Sequence, residues 1–228
     1  MPKLRIALDG PAGSGKSTAA KRVAKLLEYA YLDTGAMYRA AALAVLRAGV
    51  PLTDTTRAEM AVARSRIELR WTSEGTRVWL DGEEVTAEIR HSEAAQAASQ
   101  VSTIPGVRAI LVARQREFAA AGGVVMEGRD IGTVVLSDAD LKIFLTASAD
   151  VRARRRADEL AERGETVDFD EMKREVVARD QRDTGRAASP LAAAPDAVIV
   201  DTTAMEAEEV ARLIVLLARE TERAAEAC

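Results

Sequence analysis

The chain has 228 residues, 48% of them apolar, which is enough for one α/β core of ordinary size with small insertions. Its net charge of −4 argues against a binder of nucleic-acid polymers, which needs an excess of Lys and Arg on one face. No apolar run reaches the roughly 18 residues of a membrane span, no secretory signal precedes Asp9, and the single cysteine, Cys228, cannot close an internal disulfide, so a cytoplasmic setting is expected.

Leu4 to Leu8 is a short apolar run with one charge, bounded by Asp9-Gly10-Pro11, and predicts a buried strand. From Lys16 the spacing turns helical, with Ala20, Val23, Ala24 and Leu27 on one stripe. Tyr29 to Leu32 predicts a second strand, Gly35 to Ala48 a helix stopped by Gly49 and Pro51, and Thr53 to Arg66 a shorter helix. The character then changes. Ile67 to Trp71 alternates, Ser73-Glu74-Gly75 turns, Arg77 to Leu80 follows, and Asp81-Gly82 is a hairpin dipeptide. This antiparallel meander holds both tryptophans, Trp71 and Trp79, and interrupts the α/β alternation. Residues 64–100 therefore read as a small inserted domain.

Ser92 to Ser102 and Pro105 to Ala121 are expected to be helical, and Val124 to Glu127, Leu141 to Leu145 and Ala197 to Val200 to be core strands. Ser148 and Asp168 can cap helices running to Arg163 and to Arg182, and Thr203 with Glu206 reads as a capping box for a last helix over 204–225. Strands alternating with helices predict a mainly parallel sheet covered on both faces.

The strongest local signal is Gly10-Pro11-Ala12-Gly13-Ser14-Gly15-Lys16-Ser17, which fits G-x-x-x-x-G-K-[ST] between a predicted strand and a predicted helix. The glycines let backbone N–H groups surround phosphate oxygens, and the helix starting near Lys16 points its N-terminal dipole at the anion. Lys16 is expected to bridge the β- and γ-phosphates and the Ser17 hydroxyl to ligate Mg²⁺. The loop predicts nucleoside-triphosphate binding and leaves the reaction open among switch, motor and kinase. No N-K-x-D guanine signature is present, and a motor would usually be longer.

Arginine clusters beyond the loop argue for a second anionic ligand. The runs Asp33 to Arg39 and Glu127 to Gly132 follow predicted strands, where α/β folds bind ligands, and Arg179 to Arg186 forms a third. His91, the only histidine, reads as structural or solvated.

At these residues the sequence resembles the bacterial cytidylate kinases, a branch of the P-loop nucleoside monophosphate kinases. The resemblance runs through the phosphate loop with Asp9, Asp33-Thr34-Gly35-Ala36-Met37-Tyr38-Arg39, Ala97 to Ser102, Arg108, Gly128-Arg129-Asp130-Ile131-Gly132-Thr133-Val134-Val135, Lys142 to Leu145, the run 179–186 and Ser189-Pro190-Leu191. It implies the P-loop three-layer α/β fold, with a parallel five-stranded sheet and a helical lid. The core would be 1–63, 101–147 and 187–228, the nucleotide-binding insert 64–100 and the lid 148–186.

The resemblance also implies site roles. Gly10 to Thr18 and Arg155 would hold ATP, with Lys16, Arg129, Arg155 and Arg156 acting on the transferring group and Ser17 on Mg²⁺. Thr34, Tyr38, Arg39 and Arg129 would hold the acceptor phosphate, and Ser99, Arg108 and Asp130 would read cytosine. Arg179 and Asp183 would contact ribose, and Arg186 the phosphates or base. Arg152 would join Arg155 and Arg156 in the lid. Thr34 stands where relatives often carry Ser, which keeps the hydroxyl. Glu127 stands where some have Asp, and its longer carboxylate could still order Mg²⁺-bound water. The implied activity is transfer of the ATP γ-phosphoryl to CMP or dCMP by a monomer. The alternatives are a P-loop kinase acting on UMP, AMP or a shikimate-like hydroxyl, and a switch that binds nucleotide without transfer.

Overall fold

The computed structural model describes residues 3–72, 75–162, 164, 167–186 and 189–226. The expected turn at Ser73-Glu74, the predicted helix end at Arg163 and the terminal Cys228 lie outside those residues. The chain forms two compact units, one of Met1–Tyr31 with Gly122–Cys228 and one of Leu32–Ala121.

In the first unit the apolar run forms β1 (Arg5–Asp9), displaced one residue from the predicted span. It lies between two parallel partners, β6 (Val124–Gly128), with Arg5 opposite Val124, and β7 (Leu141–Thr146), with Ile6 opposite Leu141. With β2 (Ala30–Asp33) and β8 (Val198–Asp201) these make a five-stranded parallel sheet of order β2-β6-β1-β7-β8. The order puts β1 at the centre, so its C-terminal end, where the phosphate loop starts, is flanked by the ends of β6 and β7.

Helices α1 (Lys16–Leu27) and α8 (Ala207–Glu226) share one apolar cluster with the sheet, built from Ile6, Leu8, Val23, Val125, Ile143, Leu145, Val210 and Ile214 among others. The Tyr29 hydroxyl ties this layer together. It accepts from the Leu4 amide at 3.0 Å and donates to Glu222 at 2.8 Å. Helices α6 (Ala149–Ala161) and α7 (Phe169–Thr184) pack through a small cluster of Ala153, Met172 and Val176. Ser148 and Asp168 cap them as expected.

The last helix starts three residues later than predicted. The Thr203 hydroxyl is bonded to Asp201, and its oxygen accepts from the Ser148 amide at 3.0 Å, so it is not free to cap. Glu209 instead reaches back to the Glu206 amide at 2.8 Å. A nearer carboxylate took the hydroxyl that the capping box needs.

The second unit begins with α2 (Thr34–Arg47), whose N-cap is Asp33, accepting from the Ala36 amide at 2.8 Å. Then come α3 (Thr55–Arg64), an antiparallel sheet of β3 (Ile67–Thr72), β4 (Gly75–Leu80) and β5 (Glu83–Glu84), α4 (Ser92–Val101) and α5 (Pro105–Ala119). The predicted helix over 53–66 is shorter at both ends, because Asp54 caps its start and Ser65 takes extended backbone at its end. Asp81 and Gly82 take φ of 53° and 89°, the paired positive values that a tight hairpin turn requires. Val78, Leu80, Val85 and Ile89 bury this sheet against Ala36, Ala40, Leu43 and Ala44 of α2. Among the described residues no helix is long and apolar enough to cross a membrane.

Candidate active site

The phosphate loop fills the gap between β1 and α1. Gly15 caps the helix in the left-handed conformation and no side chain takes its first-turn N–H groups, so those donors are available to an anion. The loop is tightly seated. A Cβ at Gly10 would lie 2.0 Å from the Leu145 carbonyl oxygen, and one at Gly13, where φ is 76°, would lie 2.8 Å from that of Arg152. Glycine is required at both.

Lys16 is only 5% exposed, and its ammonium donates to the Pro11 carbonyl at 2.7 Å. Burial pulls its pKa well below the ordinary lysine value, and the Arg129 charge adds to the effect. A phosphate arriving there restores the stability of the charged form.

Ser17 and Thr18 follow on the exposed first turn of α1. The Ser17 hydroxyl donates to Glu127 Oε2 at 2.9 Å, and the buried Tyr31 hydroxyl donates to the other carboxylate oxygen. These are hard oxygen donors, the chemistry suited to Mg²⁺. No group of three or more His, Cys, Asp or Glu among the described residues forms a metal cage. Ser17, with Glu127 beside it, could hold a divalent ion through one or two protein oxygens.

Behind the loop, the Asp9 carboxylate accepts from the amides of Ile131 and Gly132 at 2.8 and 2.7 Å. It thereby fixes the turn Ile131–Val135 and the residues just before it, Arg129 and buried Asp130, against the end of β1. Burial raises the Asp9 carboxyl to about 6 against the pull of those two amides.

Arg129 Nε donates to Asp183 at 2.9 Å, and Arg186 pairs with the other oxygen of the same carboxylate. Burial alone would raise the Asp183 carboxyl, but the Arg129 and Arg186 guanidiniums outweigh it and hold it below the ordinary range. The charge of Arg179 acts on both Lys16 and Asp183. The charges of Arg129 and Arg179 thus bear on Lys16, and Arg186 joins Arg129 on the Asp183 carboxylate.

The three arginines that sequence reasoning assigned to a lid separate. Arg152 is buried beneath the loop. Arg155 donates to the Thr202 hydroxyl and carbonyl at 3.0 and 2.8 Å, and Arg156 pairs with Glu159 on an open face of α6.

The second unit carries the remaining predicted residues. Thr34 is buried at the start of α2 and Arg39, one turn on, pairs with Asp33 at 3.2 Å. Arg108 on α5 donates to the Tyr38 hydroxyl at 3.3 Å. Ser99 lies on α4, which packs along α2, and its carbonyl accepts from Ser102 at 2.9 Å. Sequence reasoning assigned no role to Asp9, Tyr31, Asp33 or Asp180. Of these, Asp33 had a readable signal, because an Asp just before a helical run is an N-cap.

The family model described as cytidylate kinase matches residues 6–220. A cytidylate kinase of Pelotomaculum thermopropionicum is 54% identical over 211 residues, covering 92% of this chain and 93% of that one. A cytidylate kinase of Caldanaerobacter subterraneus subsp. tengcongensis is 52% identical over 207 residues, covering 91% of each. Among solved structures, an uncharacterized protein from Eubacterium ventriosum aligns with a TM-score of 0.52 at 11% identity, covering 96% of this chain and 99% of that one, a likeness of fold alone.

Proposed function

This chain belongs to the cytidylate kinase family, and we propose that it transfers the γ-phosphoryl group of ATP to CMP or dCMP, giving ADP and CDP or dCDP. The observation that carries the reading is the cationic cluster around the phosphate loop: buried Lys16 with half-buried Arg129 and Arg179, and Arg186 sharing the Asp183 carboxylate with Arg129. A switch protein needs the loop but not the further arginines.

In the proposed reaction an oxygen of the acceptor 5′-phosphate attacks the γ-phosphorus, and the bond from that phosphorus to the β-bridging oxygen breaks. The nucleophile is already anionic at neutral pH, so no general base is required. Positioning and charge neutralisation supply the rate. Lys16 follows the charge towards the β–γ bridge, and Arg129, Arg155 and Arg156 stabilise the transferring group. Gly10 to Thr18 hold the triphosphate. Ser17 would hold Mg²⁺, with Glu127 ordering its water shell, and the ion would supply neutralisation of the β- and γ-oxygens.

Thr34, Tyr38, Arg39 and Arg129 are assigned to the acceptor phosphate, Arg179 and Asp183 to ribose, and Arg186 to the phosphates or base. Ser99, Arg108 and Asp130 read the base. Cytosine offers an amino donor beside two acceptors, complementary to a carboxylate or hydroxyl on one edge and an arginine on the other. Uracil would set a carbonyl against Asp130 and forfeit about 1–3 kcal/mol. Residues 64–100 and 148–186 are read as the segments that close over acceptor and triphosphate and exclude water. The enzyme is read as a cytoplasmic monomer.

The test is ADP release with CMP, dCMP, UMP, AMP, GMP and shikimate in turn. The highest rate is expected on CMP or dCMP. A faster rate on any other acceptor overturns the assignment of the base, and ATP consumption indifferent to every acceptor overturns the transfer itself.

A further inference from the structure

Of the three arginines at 152, 155 and 156, only Arg152 is buried, and its donors all point inward. Nε donates to the Ala147 carbonyl at 2.9 Å. Nη1 donates to the Ala12 carbonyl at 3.1 Å and to Asp180 Oδ1 at 3.0 Å, and Nη2 donates to Asp180 Oδ2 at 2.6 Å. Ala12 belongs to the phosphate loop, and the backbone of Arg152 also lies against Gly13 of that loop. Asp180 belongs to α7. It directly follows Arg179 and stands three residues before Asp183, the carboxylate that holds Arg129 and Arg186. One planar guanidinium thus joins the loop that faces the donor nucleotide to the helix that carries the acceptor-side charges. A two-pronged pairing with a carboxylate fixes direction as well as distance, which a lysine ammonium cannot do.

We propose that Arg152 and Asp180 are a positioning pair that transmits occupancy of the phosphate loop to α7, ordering Arg179 and Asp183 once a triphosphate is seated. A phosphate gripped by the loop amides fixes the Ala12 peptide. That peptide's carbonyl orients the guanidinium, and the guanidinium holds Asp180 in register. The coupling is reciprocal, so an acceptor bound on α7 also tightens the loop. The device favours transfer over hydrolysis, because a seated donor steadies the acceptor-side charges that Asp183 already gathers. It deepens the kinase reading for the identity of its ligands, but the link from loop to helix does not depend on the acceptor being CMP.

Hydrogen exchange along α7 tests it, measured on the full chain with and without a saturating non-hydrolysable ATP analogue and Mg²⁺. In the wild type, exchange should slow by about tenfold in α7 as well as in the loop. Arg152→Lys and Asp180→Asn should keep the slowing in the loop and lose it in α7. A purely structural role would speed exchange equally with and without the analogue and leave the increment intact. An α7 that ignores the analogue in the wild type, or an increment that survives in both variants, overturns the proposal. If Arg152→Lys does not fold, Asp180→Asn at a half-buried carboxylate decides alone. Turnover on CMP is read separately, and its absence would refute the acceptor while the exchange result still judges the pair.

Discussion

Replacing Asp9 by asparagine separates a buried charge from its shape. Burial raises this carboxyl from 3.8 to about 6, Asp130 adding to the rise while Lys16 and the Gly132 and Ile131 amides oppose it. A rise of that size means that ionised Asp9 lowers stability by about 3 kcal/mol at neutral pH. The folded chain keeps the proton to higher pH than the unfolded chain. The associated stability is therefore fully present below about pH 4 and lost as pH climbs through about 6. Between pH 5 and 7.5 the loss amounts to about 1.4 kcal/mol.

The amide of Asp9→Asn has no proton to release, but its NH₂ confronts a backbone N–H that the carboxylate accepted, at a cost of about 1–3 kcal/mol at every pH. Urea denaturation of both proteins at pH 5 and pH 7.5 measures the difference. The wild type should hold an advantage at pH 5 that shrinks by about 1.4 kcal/mol at pH 7.5. Equal pH responses in the two proteins would refute the argument that Asp9 is held ionised against its surroundings.

Lys16→Ala should leave the circular dichroism spectrum unchanged and lower turnover by about a thousandfold or more; near-normal turnover would refute the phosphate-loop assignment. Gly13→Ala should lose about 1–3 kcal/mol in thermal unfolding, because its methyl would lie 2.8 Å from the Arg152 carbonyl at a φ of 76°, and ATP affinity should fall with it. Asp183→Asn should destabilise by about 2–3 kcal/mol, since two guanidiniums lose their carboxylate but both still reach solvent. The wild-type advantage should disappear as pH falls through the acidic range, where that depressed carboxyl finally takes its proton. Tyr31→Phe should raise the Mg²⁺ concentration needed for half-maximal nucleotide binding several-fold, read by titration calorimetry, because Glu127 loses the donor on its second oxygen.

The phosphate loop was legible because its eight residues are contiguous and their chemistry is local. The strands and most helices were legible for the same reason, through apolar runs and caps within three or four residues. What escaped depends on residues far apart in the chain. Tyr31 meets Glu127 across 96 positions, and Arg152 meets Ala12 across 140. No periodicity marks either pair. Arg152, Arg155 and Arg156 look alike in sequence, and only packing distinguishes a guanidinium buried under the loop from one on an open helix face. The misplaced capping box had a different origin. Two local partners competed for one hydroxyl, and Asp201 prevailed over the helix.

The position of β1 at the middle of the sheet bears on how the chain assembles on the ribosome. Both of its neighbours and the covering helix α8 are translated long after it, with Arg5 waiting for Val124 and α1 for Ala207–Glu226. The uninterrupted stretch Leu32–Ala121 has no such wait and can close its own apolar cluster as it emerges. The nascent phosphate loop therefore exists as an unsupported glycine-rich strand end through most of synthesis. The entropic cost of closing so long a loop is met only when β6 and β7 have been made, and α8 then covers α1. Arrested nascent chains ending before residue 124 should accordingly bind no nucleotide, although every residue of the loop has already been made.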